Sequence, residues 1–289
     1  MKDFSGKLAV VTGGGSGTGR ALVVALAAQG CSVALCDIRE AEQAETKRLA
    51  EAAAPQGVKI TTFVADVANE PQVEAFRDDV RHQHDTDHVH LLFNNAGIGG
   101  GGSFVSASRA EWDRTFGVCW GGVYNNTRAF LPLLIKAEAA HLINVSSVNG
   151  FWASLGPNTT HTAYSAAKFA VKGFTEALIG DLKLNAPHVK VSLVMPGHVG
   201  TSIVLNTLSE HGWGGGTGAE MPEMLRQWGE DFRSRGLSPD RAAEIILTGV
   251  REDHWRILVG PDAEWLDQAV RAAPEKAYDA EFVPPWAQG

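Results

Sequence analysis

The feature that most constrains the fold is a regular alternation of short apolar runs with longer amphipathic stretches along almost the whole chain. Apolar runs rich in β-branched residues predict strands at 8–12, 32–36, 60–64, 89–94, 141–146, 189–195 and 256–259. Helical periodicity predicts helices at 18–29, 40–54, 70–82, 109–137, 162–185 and 240–251. This alternation predicts an α/β fold, with a doubly wound parallel sheet of about seven strands and helices on both faces.

Two segments interrupt the alternation. Residues 198–236 contain the glycine-rich run 212–218, and long insertions of this kind are usually lids or disordered. We expect a substrate lid rather than a linker, because the insertion has apolar side chains to bury, namely Trp213, Met221, Met224, Leu225 and Trp228. The tail 271–289 is too short for a domain and is either a packing arm in an oligomer or frayed. We therefore expect one domain over 1–289.

Composition excludes several classes of partner. The formal net charge is −8, without a cluster of Lys or Arg, which argues against binding to nucleic acid or an anionic membrane. The three cysteines have no metal-type spacing and suggest a reducing compartment. The start Met1-Lys2-Asp3 is unlike a signal peptide, and no run approaches the ~20 apolar residues of a membrane span. We expect a cytoplasmic protein that acts on a small molecule.

The first predicted strand leads directly into a glycine-rich turn, Thr12-Gly13-Gly14-Gly15-Ser16-Gly17-Thr18-Gly19, before a helix. A turn in this context lets a pyrophosphate approach the N–H groups of the helix N-terminus. Asp37 ends the second strand about twenty residues later, where a carboxylate can accept hydrogen bonds from ribose hydroxyls. The pattern predicts a dinucleotide site.

Asp37 also favours NAD over NADP, because its charge would repel a 2′-phosphate. Arg39 leaves the alternative open. Its guanidinium could turn toward a 2′-phosphate, or it could simply begin the next helix.

Tyr164 and Lys168 lie four residues apart in a predicted helix, so their side chains share one face. A nearby ammonium can lower the pKa of a phenol and make it a base. The spacing is common, however, and by itself usually has no functional meaning.

The motifs together resemble the short-chain dehydrogenase/reductase family. The glycine turn, Asn94-Asn95-Ala96-Gly97, Ser146-Ser147, Tyr164-x-x-x-Lys168 and Pro196-Gly197-x-Val199-x-Thr201 occur in the family's order. The resemblance implies a Rossmann-type fold and an NAD(P)-dependent oxidoreductase that interconverts a secondary alcohol and its ketone. It also implies a homodimer or homotetramer, with interface candidates in the helices near 109–137 and 162–185.

The resemblance implies roles for individual residues. Tyr164 is expected to be the general base or acid, Ser147 to hydrogen-bond the substrate oxygen, and Lys168 to hold the nicotinamide ribose and lower the pKa of Tyr164. The expected cofactor-binding residues are Gly13, Ser16, Gly17, Thr18, Gly19, Asp37, Asp66, Val67, Asn95, Ala96, Gly97, Tyr164, Lys168, Pro196, Gly197, Val199 and Thr201.

Cys119 occupies the position where the family usually has the Asn of a proton relay. A thiol is a poorer hydrogen-bond partner than an amide. In the family this Asn supports the relay partly through its main-chain carbonyl, and Cys119 would still supply a main-chain carbonyl. We expect a weaker relay or a rearranged helix bend, with activity retained. The alternatives for Cys119 are a buried small residue, which we favour, and a redox-sensitive or catalytic thiol.

The loop between Ser147 and Tyr164 is longer than the family usually has. We expect it to shape a pocket for a bulky apolar or aromatic substrate, although Trp152 could equally pack in the core. The candidate pocket residues are Phe151, Trp152, His198 and Trp213.

Other interpretations stay open. A dinucleotide-sensing regulator without catalysis would need cofactor affinity but not the Ser147, Tyr164 and Lys168 set, and an NADP-preferring ketone reductase is a second alternative. An epimerase or dehydratase is disfavoured, because such enzymes more often have a longer chain. The histidine-rich segment 81–90 invites a metal site, but the fold places it away from the strands' carboxyl ends, so we expect no metal.

Overall fold

The computed structural model describes residues 1–154, 160–210 and 220–285. Their framework is a seven-stranded parallel sheet with strand order β3-β2-β1-β4-β5-β6-β7. The strands are Leu8–Thr12 (β1), Ser32–Asp37 (β2), Ile60–Val64 (β3), Leu91–Asn94 (β4), Ala140–Val145 (β5), Val189–Pro196 (β6) and Arg256–Val259 (β7). The predicted Rossmann-type α/β sheet is confirmed.

Ten α-helices are described in these parts of the chain. They are Gly17–Ala28 (α1), Glu40–Ala53 (α2), Glu70–Gln83 (α3), Arg109–Phe116 (α4), Gly122–Lys136 (α5), Thr162–Asn185 (α6), Ile203–Glu210 (α7), Glu223–Arg235 (α8), Pro239–Arg251 (α9) and Pro261–Ala272 (α10). Local signals explain several starts. Asn69 caps α3 and Ser238 caps α9, each accepting a backbone N–H, and a proline follows in the first turn of both helices.

Helices cover both faces of the sheet because most strand residues are apolar and buried. On one face, Leu22 and Leu26 of α1 pack with Ile246 of α9. On the other, Phe76 of α3 packs with Phe130 of α5, their ring centroids 5.5 Å apart. Fully buried parallel strands need both layers, since neither face can be left to water.

The strand order reverses between β1 and β4, which lie side by side although they are distant in sequence. In an open parallel sheet, the loops after these two strands diverge to opposite faces and leave a crevice at the carboxyl ends. The glycine turn follows β1, and Asn95-Ala96-Gly97 follows β4. The topology therefore brings two of the predicted motifs together.

The structure differs from the sequence prediction in three elements. The single helix predicted over 109–137 is divided by a π-helical turn, Gly117–Gly121, between α4 and α5. The insertion 198–236 contains α7 and α8. Helix α10 was not predicted, although Gly260-Pro261 is a typical helix start. The π turn is short, and helical periodicity on both sides of it still indicates helix, so the pattern alone does not reveal it.

The C-terminal segment after α10 packs against the loop that follows β5. Ala277 is buried with Trp152 and Leu266, and Phe282 packs on Trp152 at a centroid distance of 5.6 Å. Within the described residues, no helix is both long and apolar enough to cross a membrane.

Candidate active site

One cleft at the carboxyl edge of the sheet collects the predicted cofactor-binding residues together with Ser147. They are Gly13, Ser16, Gly17, Thr18, Gly19, Asp37, Asp66, Val67, Asn95, Ala96, Gly97, Tyr164, Lys168, Pro196, Gly197, Val199 and Thr201. They come from the ends of six strands and from α1 and α6. Residues scattered over most of the sequence thus share one surface.

The glycine turn is shaped for close backbone approach. Gly13 has φ +64°, and a Cβ there would lie 2.8 Å from the Cα of Ala96. A Cβ at Gly19 would lie 2.0 Å from the carbonyl oxygen of Gly13. Side chains at these two positions would therefore clash within the turn and with the loop after β4. Glycine lets the turn stay close to the N-terminus of α1, where N–H groups favour a phosphate. The cradle fits a dinucleotide.

Thr12 and Asn95 tie the two sides of the crevice together. The buried Thr12 hydroxyl accepts the backbone N–H groups of Asn95 and Ala96, each at 3.0 Å. The Asn95 side chain donates in return to the carbonyl oxygen of Thr12, also at 3.0 Å. These bonds hold the end of β4 at a set distance from the glycine turn.

Asp37 is held by its neighbours at the end of β2. Its two carboxylate oxygens accept the backbone N–H groups of Gly15, at 3.0 Å, and Arg39, at 3.1 Å. The carboxylate is therefore fixed at the edge of the cleft, where ribose hydroxyls are expected. A guanidinium N–H of Arg39 donates to the carbonyl oxygen of Asn206 at 3.2 Å.

Asp66 lies at the same end of the cleft and forms an ion pair with Arg114 at 2.5 Å. Its other oxygen accepts the N–H of Ala68 at 2.9 Å. Arg114 also lines the cleft, and sequence reasoning did not assign it a role. The pair places a cation beside the carboxylate expected to meet the adenine.

Ser147, Tyr164 and Lys168 converge at the opposite end. The Lys168 ammonium donates to the carbonyl oxygen of Val145 at 3.0 Å, and it lies 5.5 Å from the centre of the Tyr164 ring. Ser147 lies near enough to Tyr164 to lower the pKa of its phenol. The side chains of Ser147 and Lys168 are both buried. A hydroxyl, a phenol and an ammonium thus face one end of a dinucleotide cleft.

Burial has the largest effect on the pKa values of Tyr164 and Lys168. It raises the pKa of the Tyr164 phenol, while the hydrogen bond with Ser147 opposes the rise. It also lowers the pKa of the Lys168 ammonium. This differs from the lowered Tyr164 pKa expected from the sequence, because desolvation penalises the charged form of each buried group.

The family model for short chain dehydrogenase matches residues 7–211. The chain is a short-chain dehydrogenase/reductase. SadH of Mycobacterium tuberculosis, named as an oxidoreductase, is 37% identical over 271 residues, covering 94% of this chain and 92% of SadH. Levodione reductase of Leifsonia aquatica is 29% identical over 274 residues, covering 92% of each protein.

A solved short-chain dehydrogenase/reductase from Burkholderia phymatum, in complex with NAD, is similar in fold as well as sequence. The TM-score is 0.80 at 33% identity, with 96% of this chain and 95% of that chain covered. The family membership predicted from the motifs is confirmed. This dehydrogenase/reductase is an NAD(P)-dependent oxidoreductase.

Cys119 lies near Gly97 and Lys168, fully buried in the π-helical turn. Its thiol donates to the carbonyl oxygen of Ile98 at 3.1 Å. Burial raises the pKa of this thiol, and the charge of Lys168 opposes the rise. Cys119 is thus a small buried group within the π-helical turn.

The described substrate-pocket candidates lie outside this cleft. Trp152 is only 5% exposed and packs in the core. Phe151 packs beside it, under the Arg256 guanidinium. The His198 ring donates to the carbonyl oxygen of Phe232 at 2.7 Å instead of entering the cleft. Sequence patterns could not separate these packed rings from pocket rings, since both are apolar and follow strand ends. Trp213 lies outside the described residues.

The dehydrogenase lines its cleft with other residues that sequence reasoning missed. They are Ile38, Ala65, Ile98, Val118, Val145, Ile203, Asn206 and Phe232, together with Arg114. Ile203, Asn206 and Phe232 belong to the helical insertion. Only the apolar content of that insertion indicated them in advance.

The histidine-rich segment shows no metal centre. Across the three described stretches of the chain, no group of three or more His, Cys, Asp or Glu side chains is arranged to hold a metal ion. His84 instead hydrogen-bonds Thr61 at 2.9 Å, and burial lowers its pKa to about 4.

Proposed function

We propose that this short-chain dehydrogenase/reductase uses NAD to interconvert a secondary alcohol and its ketone. The proposal rests on the convergence of Ser147, Tyr164 and Lys168 at one end of the cleft whose other end has the glycine turn and Asp37. A dinucleotide bound along this cleft would present its nicotinamide beside the three side chains. Nicotinamide supplies hydride chemistry when it is bound there.

The three side chains supply the remaining chemistry. When an alcohol is oxidised, its carbon gives up a hydride and its hydroxyl gives up a proton, which Tyr164 accepts as a phenolate. In ketone reduction, the Tyr164 phenol returns that proton to the oxygen. Ser147 hydrogen-bonds the same oxygen, and Lys168 favours the phenolate by its charge. General acid–base catalysis of this kind contributes roughly 10²–10⁴-fold in rate.

The preference for NAD is argued from Asp37. Its fixed carboxylate would accept hydrogen bonds from the ribose hydroxyls and repel a 2′-phosphate. Arg39, the residue that favours NADP, directs a guanidinium N–H toward the carbonyl oxygen of Asn206 on α7. A 2′-phosphate would have to draw Arg39 away from that contact while facing Asp37.

The proposed substrate has a bulky apolar or aromatic body. Ile203 and Phe232 bring apolar side chains to the cleft from α7 and α8, in agreement with a lid role for 198–236. The relative named levodione reductase supports a carbonyl substrate. The reactive oxygen would lie at Ser147 and Tyr164.

We also propose a homodimer or homotetramer built on α5 and α6. Tyr124 on α5 and Phe169 on α6 are 40% and 41% exposed, which is high for aromatic side chains on long helices. A cytoplasmic location accords with the three cysteines, all of which are buried free thiols.

Activity on a panel of secondary alcohols and ketones, followed by nicotinamide absorbance with NAD and with NADP, tests the proposal. We expect a higher kcat/KM with NAD than with NADP. Tyr164→Phe is expected to lower kcat/KM by about 10³-fold. Tyr124→Phe, which removes a hydroxyl from an exposed ring, is the matched control and is expected to retain activity. NADH binding without turnover on any substrate would instead favour the regulator.

A further inference from the structure

The Ser147 hydroxyl has a partner on the side away from the cleft. Its oxygen accepts the backbone N–H of Asn149 at 3.1 Å. The hydroxyl donates to the side-chain oxygen of Asn149 at 3.4 Å. Asn149 is buried in the short 3₁₀ turn Val148–Gly150, and its side chain does not line the cleft. Asn149 therefore touches Ser147 without being in reach of a bound substrate.

The orientation of the Asn149 amide is determined by its other contacts. Its nitrogen donates to the carbonyl oxygens of Trp152, at 3.1 Å, and Ser154, at 3.2 Å. A flipped amide would put its oxygen against two carbonyl oxygens and lose both bonds. The amide oxygen must therefore face Ser147.

The C-terminal segment holds the carbonyl groups that orient Asn149. The Trp152 indole N–H donates to the carbonyl oxygen of Ala277 at 2.8 Å, and the backbone N–H of Ala153 donates to the Tyr278 hydroxyl at 3.0 Å. Phe282 packs on the Trp152 ring. A continuous chain of contacts thus runs from residues 277–282 through Trp152 and Asn149 to Ser147.

We propose that Asn149 is a positioning residue for Ser147, and that the C-terminal segment 277–282 holds Asn149 in place through Trp152. Asn149 holds the serine oxygen by its backbone N–H at 3.1 Å and orients the hydroxyl by its side-chain oxygen at 3.4 Å. The bond from the serine proton to the amide is long, so a substrate oxygen can displace it at little cost. This inference rests on the proposed role of Ser147 in an alcohol and ketone reaction.

A double-mutant cycle between Asn149→Ala and Ser147→Ala tests the coupling. We expect Asn149→Ala to lower kcat by about tenfold, the size of one lost hydrogen bond, with the dissociation constant for NADH unchanged. In the Ser147→Ala background the same change is expected to have almost no further effect on kcat. Independent, multiplying losses would overturn the proposal, because they would mean that Asn149 does not act through the serine.

The link to the C-terminal segment is tested separately by Trp152→Phe, which keeps an aromatic ring and removes the N–H donor. A fall in kcat of about threefold is expected, again without loss of NADH binding and without effect in the Ser147→Ala background. Trp265→Phe is the control, since Trp265 also packs on Phe282, at 5.9 Å, and its kcat is expected to be unchanged. Equal losses in both variants would overturn the chain of contacts. This test also stands if Asn149→Ala fails to fold.

Different results would refute the proposed function and the positioning role of Asn149. Full activity in Ser147→Ala and Tyr164→Phe would refute the proposed function itself. Activity that is lost in those two variants and unchanged in Asn149→Ala would refute only the positioning role.

Discussion

Lys168 donates from its buried ammonium to the carbonyl oxygen of Val145 at 3.0 Å, which joins α6 to the end of β5 directly beneath the cleft. The same ammonium lies close to Gly97, where an added Cβ would be 3.6 Å from Nζ. Lys168 thus connects the loop after β4, the end of β5 and the helix that presents Tyr164. Its charge is at the centre of the site.

Replacing this ammonium should therefore cost more than a surface charge does. Lys168→Met is expected to lower kcat by at least about 10²-fold, because Tyr164 loses its neighbouring charge and the Val145 carbonyl loses its donor. Lys172→Met, one helical turn later, removes an ion pair with Glu176 and is expected to change kcat less than about twofold. Steady-state kinetics would measure both. Comparable losses in the two variants would contradict a specific role for Lys168.

The pH dependence should differ between the two directions of the reaction. Burial raises the pKa of Tyr164, so the phenol is protonated at neutral pH. Ketone reduction needs the phenol and should be flat through neutral pH, falling only as the phenol ionises. Alcohol oxidation needs the phenolate and should rise with pH across the alkaline range. Profiles of kcat/KM measure this, and a rising profile that persists in Tyr164→Phe would contradict it.

Cofactor preference should respond to the charge of Asp37. Asp37→Asn keeps the side-chain shape and one oxygen acceptor but removes the charge that would repel a 2′-phosphate. We expect the ratio of kcat/KM for NADP to that for NAD to rise by about tenfold, equivalent to about 1.4 kcal/mol. Asp181→Asn, on the exposed end of α6, is a remote charge control expected to leave the ratio unchanged. An unchanged ratio in Asp37→Asn would argue against selection by this carboxylate.

Cys119 is expected to be dispensable for chemistry. Cys119→Ala removes a thiol that donates to Ile98 and leaves a small cavity, at a cost of about 1 kcal/mol in the free energy of unfolding. We expect kcat to change less than about threefold, because the backbone carbonyl at this position is retained. Cys119→Asn should also remain active. Thermal unfolding and kinetics check both effects, and a large loss of kcat in Cys119→Ala would indicate a catalytic thiol.

Asp267 should stabilise the C-terminal part of the fold in a pH-dependent way. It accepts from Arg256 at 2.7 Å and from Arg271 at 2.9 Å, and these contacts lower its pKa. Asp267→Asn is expected to lower the free energy of unfolding by about 3 kcal/mol at neutral pH, because it leaves the Arg256 guanidinium without a carboxylate partner.

The sign of the pH effect follows from that lowered pKa. The stabilisation is complete above the unfolded value of ~3.9 and is lost as pH falls through the lower folded pKa. Denaturant unfolding at neutral and acidic pH would measure the difference between wild type and variant. A difference that stayed constant into strong acid would show that the carboxylate charge is not its source.

Much of the candidate site could be predicted from the sequence because each motif consists of residues close together in the chain. Gly13, Gly17 and Gly19 form a turn within one segment, and Tyr164 and Lys168 share one helix face through a spacing of four residues. The parallel topology follows from the alternation of strands and helices, and it sends each strand's carboxyl end to the same edge. Local motifs at those ends then meet without further information.

The residues that would contact the substrate could not be predicted from the sequence in the same way. Phe151, Trp152 and His198 follow strands just as cleft residues do, but they pack against the C-terminal segment or Phe232. Arg114 and Asn206 reach the cleft through Asp66 and Ser16, which are distant in sequence. No periodicity distinguishes a ring that packs in the core from one that lines a cleft.

The sequence by itself determined the order of the strands, the dinucleotide turn and the pairing of a phenol with an ammonium, because each depends on contacts between near neighbours. Only the tertiary structure decided which aromatic rings face the cleft, that burial raises the pKa of Tyr164, and that Asn149 and the C-terminal segment lie behind Ser147. Those properties depend on packing between distant segments and on the exclusion of water, which no single stretch of sequence contains.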